Sequence, residues 1–119
     1  MNKVILGKND LIQQVLVGKQ TFESVLESWA QVSQLADELK HQNKKIKILV
    51  NLANVTKVNA DALIASADAI NSVPDAKIAT FGGKTLTNKF ANLVIAATGR
   101  SKTIRVFKLK NQALKWLSK

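Results

Sequence analysis

The chain has 119 residues, of which 46% are hydrophobic, and a formal net charge of +10, a composition typical of one folded domain and not of a disordered chain. It has no cysteine and one histidine, His41, which excludes disulfide scaffolds, cysteine zinc sites, cysteine nucleophiles and histidine-rich metal sites. The longest apolar stretch, residues 90–97, is far shorter than the ~20 residues of a membrane span, and the apolar N-terminal run is too short for a signal peptide, so we expect a cytoplasmic protein.

The first third of the chain predicts a hairpin followed by a long helix. Two β-prone runs, 4–7 and 11–17, flank the turn-forming Gly-Lys-Asn-Asp segment. Gly18 is expected to end the second strand, and Thr21 is a good N-cap. Apolar residues then recur with the 3.6-residue period of an amphipathic helix, at Phe22, Val25, Leu26, Trp29, Val32, Ala36 and Leu39.

The remaining elements alternate between strands and helices. The sequence predicts strands at 46–52, 77–81 and 103–107, and an Ala-rich helix at 60–71. A third helix, closed by Gly99, has an apolar stripe at Leu86, Phe90, Leu93, Val94 and Ala97. A short C-terminal helix carries Ala113, Leu114, Trp116 and Leu117.

This order predicts one α/β domain spanning residues 1–119. We expect a mixed sheet of about five strands, made of the N-terminal hairpin plus parallel strands, with four helices packed on it.

Two turns carry groups that could bind an anion. Gly82 and Gly83, followed by Lys84, open a helix after a strand, but a P-loop would need a glycine where Ile78 stands. A plain strand-to-helix turn capped by Thr85 is the favoured interpretation. Arg100 and Lys102 lie in a loop after a helix, where they are candidate anion contacts or simply complement the helix dipole.

No group of residues predicts catalysis. Asn59 and Asp61 start the second helix, where capping and the helix dipole explain them. Asp68 lies about 10 Å further along that helix, too far to share a small metal ion with Asp61. His41 is at a polar helix end. We therefore predict a protein that is not an enzyme and has no cofactor or metal.

The positive charge is concentrated in one part of the chain. Residues 1–39 carry a net charge of −2 and residues 40–119 one of +12. Most Phe and Trp residues fall on predicted core stripes, and no helix-turn-helix, RNP or KH pattern is present. The charge therefore supports only an alternative function, in which a basic module binds nucleic acid or an anionic membrane surface.

Three segments together resemble the small stand-alone SpoIIAA-like branch of the STAS superfamily, over residues 11–118. They are the strand-Gly-Thr segment at 15–21, the hydrophobic strand at 45–52, and the pair formed by strand 104–107 and the Ala-Leu-Lys-Trp-Leu segment at 113–117. The resemblance implies a mixed sheet with helices packed on it and a regulatory role without assigned catalytic residues.

The resemblance also implies a position for a phosphorylation switch. Phosphorylated STAS proteins carry Asp-Ser-Ser-Gly at the start of the helix after the central strand, and the second Ser is modified. The matching segment here is Asn59-Ala60-Asp61-Ala62, so Asp61 stands in place of the modified serine. Its carboxylate carries one negative charge where phosphoserine carries nearly two.

These observations predict a binding or regulatory module with a protein partner that the sequence does not identify. The predicted interaction surface comprises Asn59, Asp61, Gly82, Gly83 and Lys84. These residues follow parallel strands, and the carboxyl ends of such strands are where ligands of α/β proteins bind.

Overall fold

Five strands and four helices follow one another in the predicted order in a computed structural model that describes residues 1–119. The strands are β1 (Lys3–Leu6), β2 (Ile12–Gln20), β3 (Lys47–Val58), β4 (Lys77–Phe81) and β5 (Ile104–Phe107). The helices are α1 (Phe22–His41), α2 (Ala60–Asn71), α3 (Thr85–Thr98) and α4 (Lys110–Leu117), and a single 3-10 turn spans Lys8–Asp10.

The strands form one mixed sheet in the order β1-β2-β3-β4-β5. β1 is antiparallel to β2, and the other three pairings are parallel. Three successive crossovers of one hand place α1, α2 and α3 on the same face of the sheet. α4 packs on β3, β4 and β5 in a separate apolar cluster, so it covers the opposite face. The predicted mixed α/β fold is confirmed.

Strands β2 and β3 are longer than the sequence predicts. Gly18 does not end β2, contrary to the expectation, but lies inside it with a φ of +77°. The register between β2 and β3 shifts next to it, as at a β-bulge, and glycine adopts this backbone conformation without strain. Pairing then continues to Gln20 and Val58, which carries β3 six residues past the predicted end at Leu52.

The start of α1 agrees with the prediction, but part of its apolar stripe does not. Thr21 caps the helix through a reciprocal pair of hydrogen bonds with Ser24. Phe22 and Leu26 are 37% and 44% exposed. The buried arc includes Ser28, whose hydroxyl accepts a hydrogen bond from the buried Gln14 side chain at 2.9 Å. Leu26 lies about 110° around the helix from the centre of that arc.

The two faces of the sheet have separate cores. The cluster under α1, α2 and α3 contains 20 buried residues, including Ile48 and Ile78 from the central strands. The cluster under α4 has five buried residues, Leu49, Ala79, Ala113, Trp116 and Leu117. Alternate residues of β3 and β4 therefore supply the two cores, as the period of two in a strand requires.

Candidate functional site

The third helix faces the sheet with only part of the predicted apolar stripe, Phe90 and Val94. Of its residues only Val94 is buried, whereas Leu86 is 71% exposed and Leu93 is 55% exposed. Ile64 on the neighbouring α2 is 59% exposed. We call Ile64, Leu86 and Leu93 the outer apolar surface. Large exposed apolar side chains mark an interaction surface where they form one contiguous patch.

The turn between β4 and α3 has little space for side chains. Gly82 has a φ of +79°, and a Cβ there would lie 3.1 Å from the Cβ of Ala53. A Cβ on Gly83 would collide with the side-chain amide of Asn88, whose Nδ2 donates to the Gly83 carbonyl at 3.1 Å. Lys84 is the N-cap residue, so the prediction that Thr85 caps the helix is wrong.

The start of α2 is held by backbone contacts. The Asn59 N–H donates to the Gln20 carbonyl at 2.9 Å, which joins the helix start to the end of β2. Asn59 occupies the N-cap position, but its side chain makes no capping hydrogen bond. Asp61 lies in the first turn and is exposed. Both residues therefore present side-chain groups that the fold itself does not use.

The two parts of the predicted surface lie at different points along β3. The Gly82-Gly83 turn contacts Leu52 and Ala53, whereas Asn59 follows the strand six residues later. At ~3.3 Å per residue, this separates them by about 20 Å of strand. A cavity lies between α2 and α3, but none of the five predicted surface residues lines it.

That cavity has a volume of about 100 Å³ and lies between α2, α3 and the sheet. Fourteen of its 18 lining residues are hydrophobic and none is charged. Ala62 and Leu63 of α2 line one side, and Thr87, Phe90 and Ala91 of α3 line the other. The remaining lining residues are Leu16, Gln20, Val50, Leu52, Val55, Val58, Ser66, Ile70, Ile78, Thr80, Val94, Ile95 and Ile104.

Of the two candidate anion contacts, Arg100 is occupied by the protein itself. Its guanidinium donates to the carbonyls of Ile70 at 2.6 Å and Ala76 at 2.7 Å, and to the Thr103 hydroxyl at 3.2 Å. Partial burial lowers the pKa of Arg100, and Asp75 opposes that effect. These bonds tie the end of α2 to the loop before β5. Lys102 remains exposed.

Basic side chains from distant parts of the sequence meet around Trp116 of α4. The Lys77 amine donates to the Trp116 carbonyl at 2.6 Å and lies 4.4 Å from the centre of the Trp116 ring. Arg105 approaches the same ring at 5.6 Å. We call the surface formed by Lys45, Lys47, Lys77, Arg105, Lys115 and Lys119 the basic face.

Neighbouring cations on the basic face affect one another's protonation. Partial burial and then the charges of Lys47, Lys119, Arg105 and Lys45 lower the pKa of the Lys77 amine. The carboxylate of Asp75 lines the same groove and lies 3.8 Å from the amine of Lys40. The basic face therefore repels cations and attracts anions.

The other candidate polar residues, such as His41, are not gathered into one site. The Nδ1 atom of His41 lies 2.7 Å from the Asp37 carbonyl at the exposed end of α1. No group of three or more His, Cys, Asp or Glu side chains is placed to hold a metal ion.

None of the four helices combines the length and apolar content needed to cross a bilayer.

Sequence reasoning did not find two notable positions. Thr80 stands at an inward position of β4 among apolar neighbours. The only sign of it in the sequence is a polar residue at a position where the alternating pattern of the strand calls for an apolar one. Lys77 and Trp116 are 39 residues apart, so no local pattern brings them together.

Comparison with known proteins supports the fold. No protein-family model and no curated protein match the sequence. The anti-sigma factor antagonist SpoIIAA in its unphosphorylated form is 8% identical with a TM-score of 0.69, covering 99% of this chain and 98% of that one. The Bacillus cell fate determinant SpoIIAA in its phosphorylated form is 10% identical, with a TM-score of 0.65 and 98% of both chains covered.

A third similar structure is an uncharacterized DUF3478-family protein from Shewanella loihica PV-4, described as having a SpoIIAA-like fold. It is 18% identical with a TM-score of 0.62, covering 98% of this chain and 92% of that one. The chain therefore has a SpoIIAA-like fold, as the sequence resemblance implied.

Proposed function

We propose that this chain is a non-enzymatic regulatory module that binds a protein partner through the outer apolar surface of α2 and α3. The observation that carries the proposal is the exposure of three large apolar side chains, Ile64, Leu86 and Leu93, on these neighbouring helices. Burying such side chains against a partner contributes roughly 25 cal/mol per Å² of apolar area removed from water.

The residues around this surface fit the polar rim of an interface. Asp61 and Asn59 begin α2, and Lys84 begins α3. A carboxylate and an amine at the two helix starts can select a partner of complementary charge. Because Asp61 replaces the serine that phosphorylated STAS proteins modify, we propose that binding here is not switched at this position.

The fold supports a regulatory role by analogy. Two of the similar structures are of SpoIIAA, which is described as an anti-sigma factor antagonist and a cell fate determinant. Because one fold hosts many functions, the analogy supports only the regulatory class of function. The choice of the outer apolar surface as the binding surface rests on the exposed side chains of this chain.

Site-specific photo-crosslinking in the native host tests the proposal, because it captures a partner whose identity is not known. A photoreactive phenylalanine analogue replaces Leu93 in one variant and the exposed Lys115 of α4 in the matched control. We expect Leu93 to give a cross-link to one other protein that Lys115 does not give. A second substitution, Leu86→Lys, should abolish that cross-link.

Two outcomes would overturn this proposal. Equal cross-linking from Leu93 and Lys115 would show that the outer apolar surface is not selective. A cross-link only to a second copy of this chain would replace the regulatory partner with a homodimer. Circular dichroism of each variant establishes that the fold is retained.

A second candidate function rests on the basic face. The face holds six cations, two of which lie against the Trp116 ring, and this concentration of charge favours binding of nucleic acid or an anionic membrane surface. Fluorescence titrations with duplex DNA and with phosphatidylserine vesicles at about 50 mM salt should show binding that weakens steeply as salt rises. Lys115→Glu should weaken it, and Lys89→Glu on α3 should not. Absence of binding at that salt concentration rejects this candidate.

A further inference from the structure

The cavity between α2, α3 and the sheet contains a polar group without a partner. The Thr80 side chain lines the cavity from β4 and is only 9% exposed. Its Oγ1 atom is fully buried and makes no hydrogen bond. Buried hydroxyls without a partner are rare, because the group loses its bonds to water and gains none in return.

Two of the other three polar lining residues, Ser66 and Gln20, are already satisfied. The Ser66 hydroxyl donates to the Ala62 carbonyl at 2.7 Å. The Gln20 amide donates to Asn2 Oδ1 at 3.0 Å and to the Val17 carbonyl at 3.1 Å, and its oxygen accepts from Asn2. Among the lining residues, only Thr80 therefore has a fully buried polar atom without a partner.

The space itself results from small residues where α2 and α3 approach the sheet. Ala62 and Ala91 line it from the two helices, and α3 turns Leu86 and Leu93 outwards. An apolar cavity of about 150 Å³ is known to take up benzene. The cavity here, at about 100 Å³, is smaller, so benzene or phenol enters only if its partly exposed wall, which includes Leu63 and Phe90, moves outwards.

We propose that this cavity binds a small uncharged molecule with an apolar ring or short chain and one hydroxyl or carbonyl oxygen, which hydrogen-bonds to Thr80. The lining contains no charged side chain, and burying an ion without a partner is costly, so the ligand is neutral. The hydroxyl of Thr80 both donates and accepts, so it can pair with either kind of oxygen. This site is independent of the proposed protein-binding surface.

Calorimetric titration of the full chain with phenol, and separately with benzene, tests the site. We expect saturable binding of phenol with one molecule per chain. Thr80→Val keeps the shape of the side chain and removes the hydroxyl. It should weaken phenol binding by about two- to tenfold and leave benzene binding unchanged or stronger.

Filling the cavity provides the second part of the test. Ala91→Leu adds three carbon atoms inside the cavity and should abolish binding of both probes. Ala97→Leu is the matched control, because Ala97 is exposed on the same helix and does not line the cavity. If Ala91→Leu lowers the melting temperature, the smaller Ala91→Val should still weaken both probes.

The proposal fails if phenol shows no saturable binding to the wild-type chain at millimolar concentration. It also fails if Thr80→Val changes phenol and benzene binding equally, or if Ala91→Leu, Ala91→Val and Ala97→Leu all leave binding intact. A buried water bonded to Thr80 with no phenol binding would assign the hydroxyl to solvent alone.

Discussion

The two faces of the sheet differ in packing and in charge. On the α4 face, Trp116 closes a small core, its ring lies 5.8 Å from that of Phe107, and the surrounding side chains are basic. On the opposite face, α2 and α3 enclose an apolar cavity and expose Ile64, Leu86 and Leu93. From this contrast we propose apolar recognition on the α2–α3 side and electrostatic attraction on the α4 side.

The largest expected effect tests the close packing of the α4 face. Trp116→Ala should lower the free energy of unfolding by about 3–5 kcal/mol, because it removes a buried aromatic side chain and its contacts. Phe90→Ala should cost less, since Phe90 is only half-buried beside an existing cavity. Urea denaturation of both variants measures the difference, and equal losses would contradict the proposed difference in packing.

The next effect concerns the contacts that hold the α2–α3 side together. Arg100→Met should lower the free energy of unfolding by about 2–3 kcal/mol, because it leaves the carbonyls of Ile70 and Ala76 without their charged donor. Lys102→Met is the matched control and should stay within about 0.5 kcal/mol of the wild type. If the two variants are equally stable, Arg100 is not a structural residue and becomes available as an anion contact.

A smaller effect of the opposite sign is expected inside the cavity. Thr80→Val should raise the free energy of unfolding by about 1 kcal/mol, because the unpaired buried hydroxyl is destabilising and the added methyl group is not. Thermal unfolding of the ligand-free protein measures it. A lower melting temperature would show that the hydroxyl has a partner in the unliganded chain.

The smallest effect is a pH dependence on the basic face. Because burial and neighbouring cations lower the pKa of Lys77 from 10.5, the unfolded chain holds this proton more tightly than the folded one. The contribution of Lys77 to the free energy of unfolding therefore rises as pH increases from the folded-state pKa towards 10.5. Lys77→Met should lose that rise. Urea midpoints at several alkaline pH values test it, and a constant difference between wild type and variant would contradict it.

The sequence was sufficient where a local pattern determines the structure. Thr21 and Ser24 contain the whole capping motif of α1, and the alternation of periods predicts the order of strands and helices. The sequence was not sufficient to predict which side of α3 faces the sheet, because this helix has apolar residues on more than one side. Leu86 and Leu93 repeat with the same period as Ala91, Val94 and Ile95, so periodicity alone does not identify the inward side.

The site depends on contacts that no local pattern contains. Gly18 is typical of a strand end, yet pairing with β3 keeps it inside β2 at a bulge. The unpaired state of Thr80 depends on how α2 and α3 pack above it. The surface around Trp116 forms only when β3, β4, β5 and α4 come together. These features are results of tertiary packing, and the sequence showed only their residue types.

The most direct test of the division between the two faces is an amide chemical-shift map of the isotope-labelled full chain during titration with phenol. We predict saturable shifts at Thr80, Ala91 and Val94 and unchanged signals for the Trp116 indole and for Arg105. Shifts centred on Trp116, or shifts that grow without saturation on both faces, would contradict the account.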